Sequence, residues 1–199
     1  MKNHWTVGIL LFNEVEVLDF AGPFEVFSVT AEKNGNQPFT VHTVTQDGKA
    51  IKARNGLIVL PDYSILDMPT VDILIIPGGL GVREYEIKNE NIINWIREQM
   101  KEVKLMASVC TGALLLAKAG LLDYKKATTH WASIELFRSE FPNVEVIENV
   151  KYVDEGHIIT SGGISAGINM SFHIIKNLLG VEIAERTAKR MEYDIDLYV

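Results

Sequence analysis

Cys110 is the single cysteine of the chain and stands in the string Ser108-Val109-Cys110-Thr111-Gly112. The run before it, 103–109, reads as an apolar strand, and the run after it, 111–119, as a helix that Gly120 closes. A thiol at a strand-to-helix turn, with small residues two places to either side, has the form of a nucleophile elbow. The tight turn brings the flanking positions together, and the helix start sets unpaired N–H groups beside the sulfur. The expectation is a reactive thiol whose pKa lies below that of a free cysteine. A buried structural cysteine is the competing reading. One thiol also excludes an intramolecular disulfide and a multi-thiolate zinc or iron–sulfur site within the chain.

Five further positions could serve that thiol. Asp19 follows the loop after the first strand, between Leu18 and Phe20. It reads either as a helix N-cap or as a carboxyl whose apolar flanks raise its pKa, so that it holds a proton to give to the sulfur or to a substrate carbon. Thr111 offers a hydroxyl that could orient water or substrate and an N–H for an oxyanion-type pocket; satisfying local donors at the helix start is the plainer role. Gly78 and Gly79 follow the strongest strand, and glycine lets backbone approach a ligand closely. Their N–H groups are read as the other half of the anion pocket, or as a turn alone. His130 lies at another strand end, as base, orienting group or hydrogen-bonded structural histidine. His4, His42, His157 and His173 show no ligand spacing, and no H-E-x-x-H string occurs, so no metal is expected.

The elements that must position these residues follow from periodicity. Apolar, β-branched runs at 5–12, 39–45, 71–76, 103–109 and 127–129 read as strands, with late strands at 144–147, 151–153 and 157–160. Residues 51–60, with Asn55-Gly56, suggest a hairpin. Helical period covers 19–33, with Pro23 in the first turn, and 91–101, 111–119, 132–140, 165–179 and 181–191. This alternation predicts an α/β fold: a single doubly wound, flavodoxin-like domain over 1–199, with a mostly parallel sheet and helices on both faces. Ligands in such folds bind at the carboxyl ends of strands, which directs attention to the loops after Phe12, Ile76, Val109 and Thr129. Trp95, Phe137, Phe141 and Phe172 read as core packing.

Composition narrows the function classes. Of 199 residues, 47% are hydrophobic and 23% charged, ordinary for a globular domain. Nineteen Lys and Arg against 26 Asp and Glu give a net charge of −7, with no basic run, a poor match to nucleic-acid or polybasic membrane binding. The apolar run from Val7 to Phe12 is too short to span a bilayer, and no small-residue cleavage site follows it. A soluble cytoplasmic protein with a small-molecule substrate, and no nucleic-acid or membrane partner, is expected.

The strings IIPGG (Gly78-Gly79), SVCTG (Cys110), ATTHW (His130) and TSGG (Gly162-Gly163), in that order, resemble the ThiJ/PfpI superfamily. That superfamily has the fold of class I glutamine amidotransferases. Within it, LDFAGPFEVF at 18–27 is similar to the branch containing isonitrile hydratases and to the sensor domains of AraC-type regulators. The resemblance implies that Cys110 is the nucleophile, that Asp19 takes the place of a glutamate that hydrogen-bonds the cysteine in many members, and that His130 lies near the sulfur. Proteases of the superfamily have His where this chain has Thr111, so proteolysis is disfavoured. The implied activity is a cofactor-free lyase that converts an isonitrile to an N-substituted formamide through a thioimidate on Cys110, in a homodimer. Also implied are a sensor domain, an enzyme for reactive aldehydes and a redox-stress protein. AraC-type regulators carry a helix-turn-helix region after the sensor domain, for which a chain ending at Val199 is expected to have no room.

Overall fold

The computed structural model describes residues 4–198, so the outer edges of the expected 1–199 domain lie outside the described residues. In chain order the elements are β1 (Trp5–Leu10), α1 (Val17–Val29), β2 (Phe39–Thr45), β3 (Ile51–Lys52), β4 (Ile58–Val59), β5 (Tyr63–Ser64), β6 (Ile73–Ile76), α2 (Leu80–Glu84), α3 (Glu90–Glu102), β7 (Leu105–Val109), α4 (Gly112–Lys118), β8 (Lys126–Ala127), α5 (Ile134–Glu140), β9 (Glu145–Val146), β10 (Tyr152–Asp154), β11 (Ile158–Ser161), α6 (Ala166–Leu179) and α7 (Val181–Arg190).

Seven strands form the central sheet in the order β10-β11-β7-β6-β1-β2-β5. Every neighbouring pair is parallel except β10 with β11. The four side chains of β6 are fully buried, as a strand covered on both faces requires. Each such burial stabilises the fold by roughly 1.5–3 kcal/mol relative to leaving the side chain in water. Helices cover both faces: α1, α6 and α7 pack on one another, and α4 packs with α2 and α3. Phe27, Phe137 and Phe172 are fully buried, while Trp95 and Phe141 pack against the core from its margin.

The order reverses at β1. From it the chain moves first to β2 on one side, then returns to β6 on the other. The carboxyl ends of β1 and β6 therefore diverge into a crevice, with β7 next to it, where this class of fold binds its ligands.

Several expected bounds change. Helix α1 begins at Val17 with Glu16 at its N-cap, so Asp19 lies within the first turn and Pro23 in the interior. The strand expected at 127–129 is only Lys126–Ala127, and with β9 it forms a separate two-stranded parallel sheet. The 51–60 hairpin is present as β3 and β4 around a single 3-10 turn, Arg54–Gly56. Strand β5 and helix α2, with two and five residues, are too short to show a period in the sequence.

Candidate active site

The turn from β7 into α4 holds Cys110 at φ 57°, left-handed backbone that a non-glycine residue adopts at a cost of roughly 1–3 kcal/mol. Three hydrogen bonds fix it there. The Cys110 N–H donates to the carbonyls of Ser161 (3.2 Å) and Gly162 (3.1 Å), and its own carbonyl accepts from Thr129 Oγ1 (2.8 Å). Gly112 is required by close approach, because a Cβ there would collide with the carbonyl oxygen of Ile76. Ser108 is fully buried on the other side of the turn.

Asp19 is also fully buried. Its Oδ2 accepts the Gly78 N–H at 3.0 Å and its Oδ1 the Ile164 N–H at 3.1 Å, and the Cys110 thiol lies within hydrogen-bonding reach. It is therefore not a helix cap. The carboxyl joins the loops after β1, β6 and β11 beneath the sulfur. Burial pushes its pKa up from 3.8 to about 7, against the pull of the Gly78 N–H, and the charge of Glu16 adds to the rise.

The thiol itself departs from the sequence expectation. Burial first, then the Asp19 charge, push the Cys110 pKa up from 9.0 to about 12, although the Thr111 N–H and hydroxyl pull it down. The helix-start donor is outweighed because the side chain is only 7% exposed and faces a carboxylate. Cys110 and Asp19 thus act as one titrating unit that gives up a first proton near pH 7 and retains the second to about pH 12. Over that range the pair holds one proton, and the carboxylate is placed to take it from the sulfur.

The two glycines are also used differently from the expectation. The Gly78 N–H is committed to Asp19, and the Gly79 N–H donates to Thr111 Oγ1 at 3.0 Å. The Thr111 hydroxyl in turn reaches the Gly79 carbonyl at 3.3 Å. Neither glycine N–H is a free donor for an anion. The backbone N–H directed at the sulfur belongs to Thr111.

His130 Nδ1 accepts the Ala132 N–H at 3.3 Å, capping the 3-10 turn Trp131–Ser133. Its ring lies so close to Gly163 that a Cβ there would collide with it. Burial and then the Arg83 charge lower its pKa, so the imidazole is neutral at pH 7.

A cavity of about 280 Å³ opens over Cys110, Thr111, Gly79 and His130. Glu16, Arg54, Arg83, Ser133 and Ile164 also line it. None of these five stands out in the sequence. Glu16 and Ile164 flank motifs without belonging to them, and Arg54 and Arg83 sit on elements of three and five residues. The volume suits a small molecule. Among the described residues no three His, Cys, Asp or Glu side chains converge as a metal site, and no helix is long and apolar enough to cross a membrane.

Comparison with known proteins finds both enzymes and regulators among the relatives of this chain. The isonitrile hydratase of Pseudomonas putida is 35% identical over 188 residues, 94% of this chain and 78% of that protein. The HTH-type transcriptional regulator GbdR of Pseudomonas aeruginosa is 27% identical over 97% of this chain, which spans only 52% of the regulator's length. Among solved structures, a ThiJ/PfpI family protein from Pseudomonas syringae superposes with a TM-score of 0.85 at 23% identity, covering 98% of this chain and 78% of that one. The sequence profile of the DJ-1/PfpI family matches residues 6–177, and the chain belongs to that family.

Proposed function

We propose that the protein is a cysteine-dependent hydratase that converts a small isonitrile to an N-substituted formamide. The observation that carries this reading is the buried Asp19–Cys110 pair, holding one proton beneath a small pocket. An isonitrile carbon accepts a nucleophile and a proton at the same atom, so its enzyme needs a sulfur and an acid side by side. Asp19 takes the thiol proton as Cys110 Sγ bonds to that carbon, then returns the proton to it, giving a thioimidate, RN=CH–S. Water then adds its oxygen to that carbon as the Asp19 carboxylate takes one of the water protons and passes it to the nitrogen, giving the tetrahedral adduct RNH–CH(OH)–S. Collapse of the tetrahedral adduct breaks the C–S bond, releases RNH–CHO and returns the proton to the pair. The Thr111 N–H beside the sulfur holds charge that develops there, and the Thr111–Gly79 bonds fix the pocket floor. The 35% identity to isonitrile hydratase supports the choice of substrate class.

The likeness to GbdR over nearly the whole chain favours a second reading, a ligand-sensing module. One experiment separates the two. Purified protein is mixed with alkyl and aryl isonitriles and the formyl proton is followed by NMR. The hydratase reading predicts catalytic formamide release that Cys110→Ala abolishes. Saturable binding without formamide, from folded protein, would overturn it in favour of the sensor.

A further inference from the structure

We propose that the pocket over Cys110 takes substrates that carry a carboxylate a few bonds from the reacting carbon, and that Arg83 recognises it. This deepens the proposed function, but rests only on its premise that a small molecule reacts at Cys110.

A neutral isonitrile needs no guanidinium, yet Arg54 and Arg83 both line the cavity. They are not equivalent. Arg54 is neutralised by Glu14 at 3.2 Å. Arg83, on α2, donates from Nη2 to Ser133 Oγ at 2.5 Å, a neutral hydroxyl on a residue only 1% exposed. Among the described residues no carboxylate pairs with it. Arg138 shows the contrast, placed between Glu135 at 2.7 Å and Glu148 at 3.4 Å.

Arg83 is therefore anchored on one donor by a fixed wall residue while its remaining guanidinium donors have no anion. A planar fork held in that way matches a carboxylate in two parallel bonds. Its charge is felt inside the site, since it contributes to holding His130 neutral. The one carboxylate on the cavity lining, Glu16, forms an ion pair with neither arginine. With Glu14 counted, the charges at the mouth balance, so an anion is drawn there by the unfilled guanidinium donors of Arg83 and not by net charge. A cavity of about 280 Å³ containing both Arg83 and Cys110 leaves room for only a short spacer between the carboxylate and the reacting carbon.

The test uses iodoacetate and iodoacetamide, which share a reacting carbon and a leaving group and differ in charge. Cys110 alkylation by each is followed by intact mass, and the iodoacetate-to-iodoacetamide rate ratio is divided by that of 2-mercaptoethanol. The wild-type ratio is expected above one, and Arg83→Gln lowers it at least about tenfold, with Arg83→Lys restoring part of the loss. A wild-type ratio at or below one overturns the proposal whatever the variants do, as does an unchanged ratio in Arg83→Gln. Isocyanoacetate and its amide are assayed for formamide in parallel. If neither is hydrated while the alkylation ratio behaves as expected, the hydratase reading falls and the carboxylate preference stands.

Discussion

At Cys110 two influences oppose each other. The Thr111 N–H favours a thiolate, while burial and the Asp19 carboxylate favour the thiol, and the second influence prevails. In the proposed mechanism the Asp19 carboxylate removes the thiol proton and so makes the sulfur nucleophilic. Asp19 carries the cost of that arrangement, being held at 0% exposure with a pKa near 7. The sign of the consequence follows from linkage. The native state binds the Asp19 proton more tightly than the unfolded chain, so stability is full below about pH 4 and is lost as pH rises toward 7. Between pH 5 and 8 this amounts to about 2–3 kcal/mol. Urea unfolding of wild type and Asp19→Asn at both pH values should show the difference between them shifting by that amount in favour of the Asn protein at pH 8. A difference that does not move with pH would contradict the raised pKa. The strand-end pattern left Asp19 open between a helix cap and a partner of the thiol, and only the family resemblance implied the contact. The balance of burial against hydrogen bonds was not legible, because it depends on Gly78 and Ile164, 59 and 145 residues away in sequence.

The elbow is the element on which the site depends. Strand β7 ends at Val109, α4 begins at Gly112, and the two residues between them, Cys110 and Thr111, are the ones the proposed chemistry uses. The close passage of Gly112 against the Ile76 carbonyl packs the elbow onto the end of β6, beside Gly78 and Gly79. Gly112→Ala is expected to destabilise the protein by roughly 1–3 kcal/mol and to slow Cys110 alkylation by displacing the turn. Chemical denaturation and thiol labelling would measure both, and wild-type values in each would show that the approach is not tight. These elements were readable because ILII in β6 is an unbroken apolar run buried on both faces, and the periodic α3 and α6 each bury a defined face. Helix α2 and the Arg54–Gly56 turn were not, since so few residues carry no periodic signal. Both of the pocket's arginines lie on these two segments.

Across the whole molecule, the reversal of strand order at β1 brings residues far apart in the chain to one crevice. Asp19 follows β1, Gly78 and Gly79 follow β6, Cys110 and Thr111 follow β7, His130 follows β8, and Ile164 follows β11. The alternation of strands and helices foretold that crevice, and the motifs named the residues on its floor. Its charged mouth was hidden, because the overall charge of −7 says nothing of how Glu16, Arg54 and Arg83 are arranged. The chemistry proposed for the crevice depends on Asp19 serving as the proton acceptor and donor for Cys110. The rate of Cys110 alkylation by iodoacetamide, measured from pH 5 to pH 10 on wild type and Asp19→Asn, tests that dependence most directly. Wild type should rise with a midpoint near 7, where Asp19 ionises, and Asp19→Asn should lack that limb and react only at the alkaline end. A single rise near pH 9 in both proteins would show a thiol that titrates alone and would contradict the account.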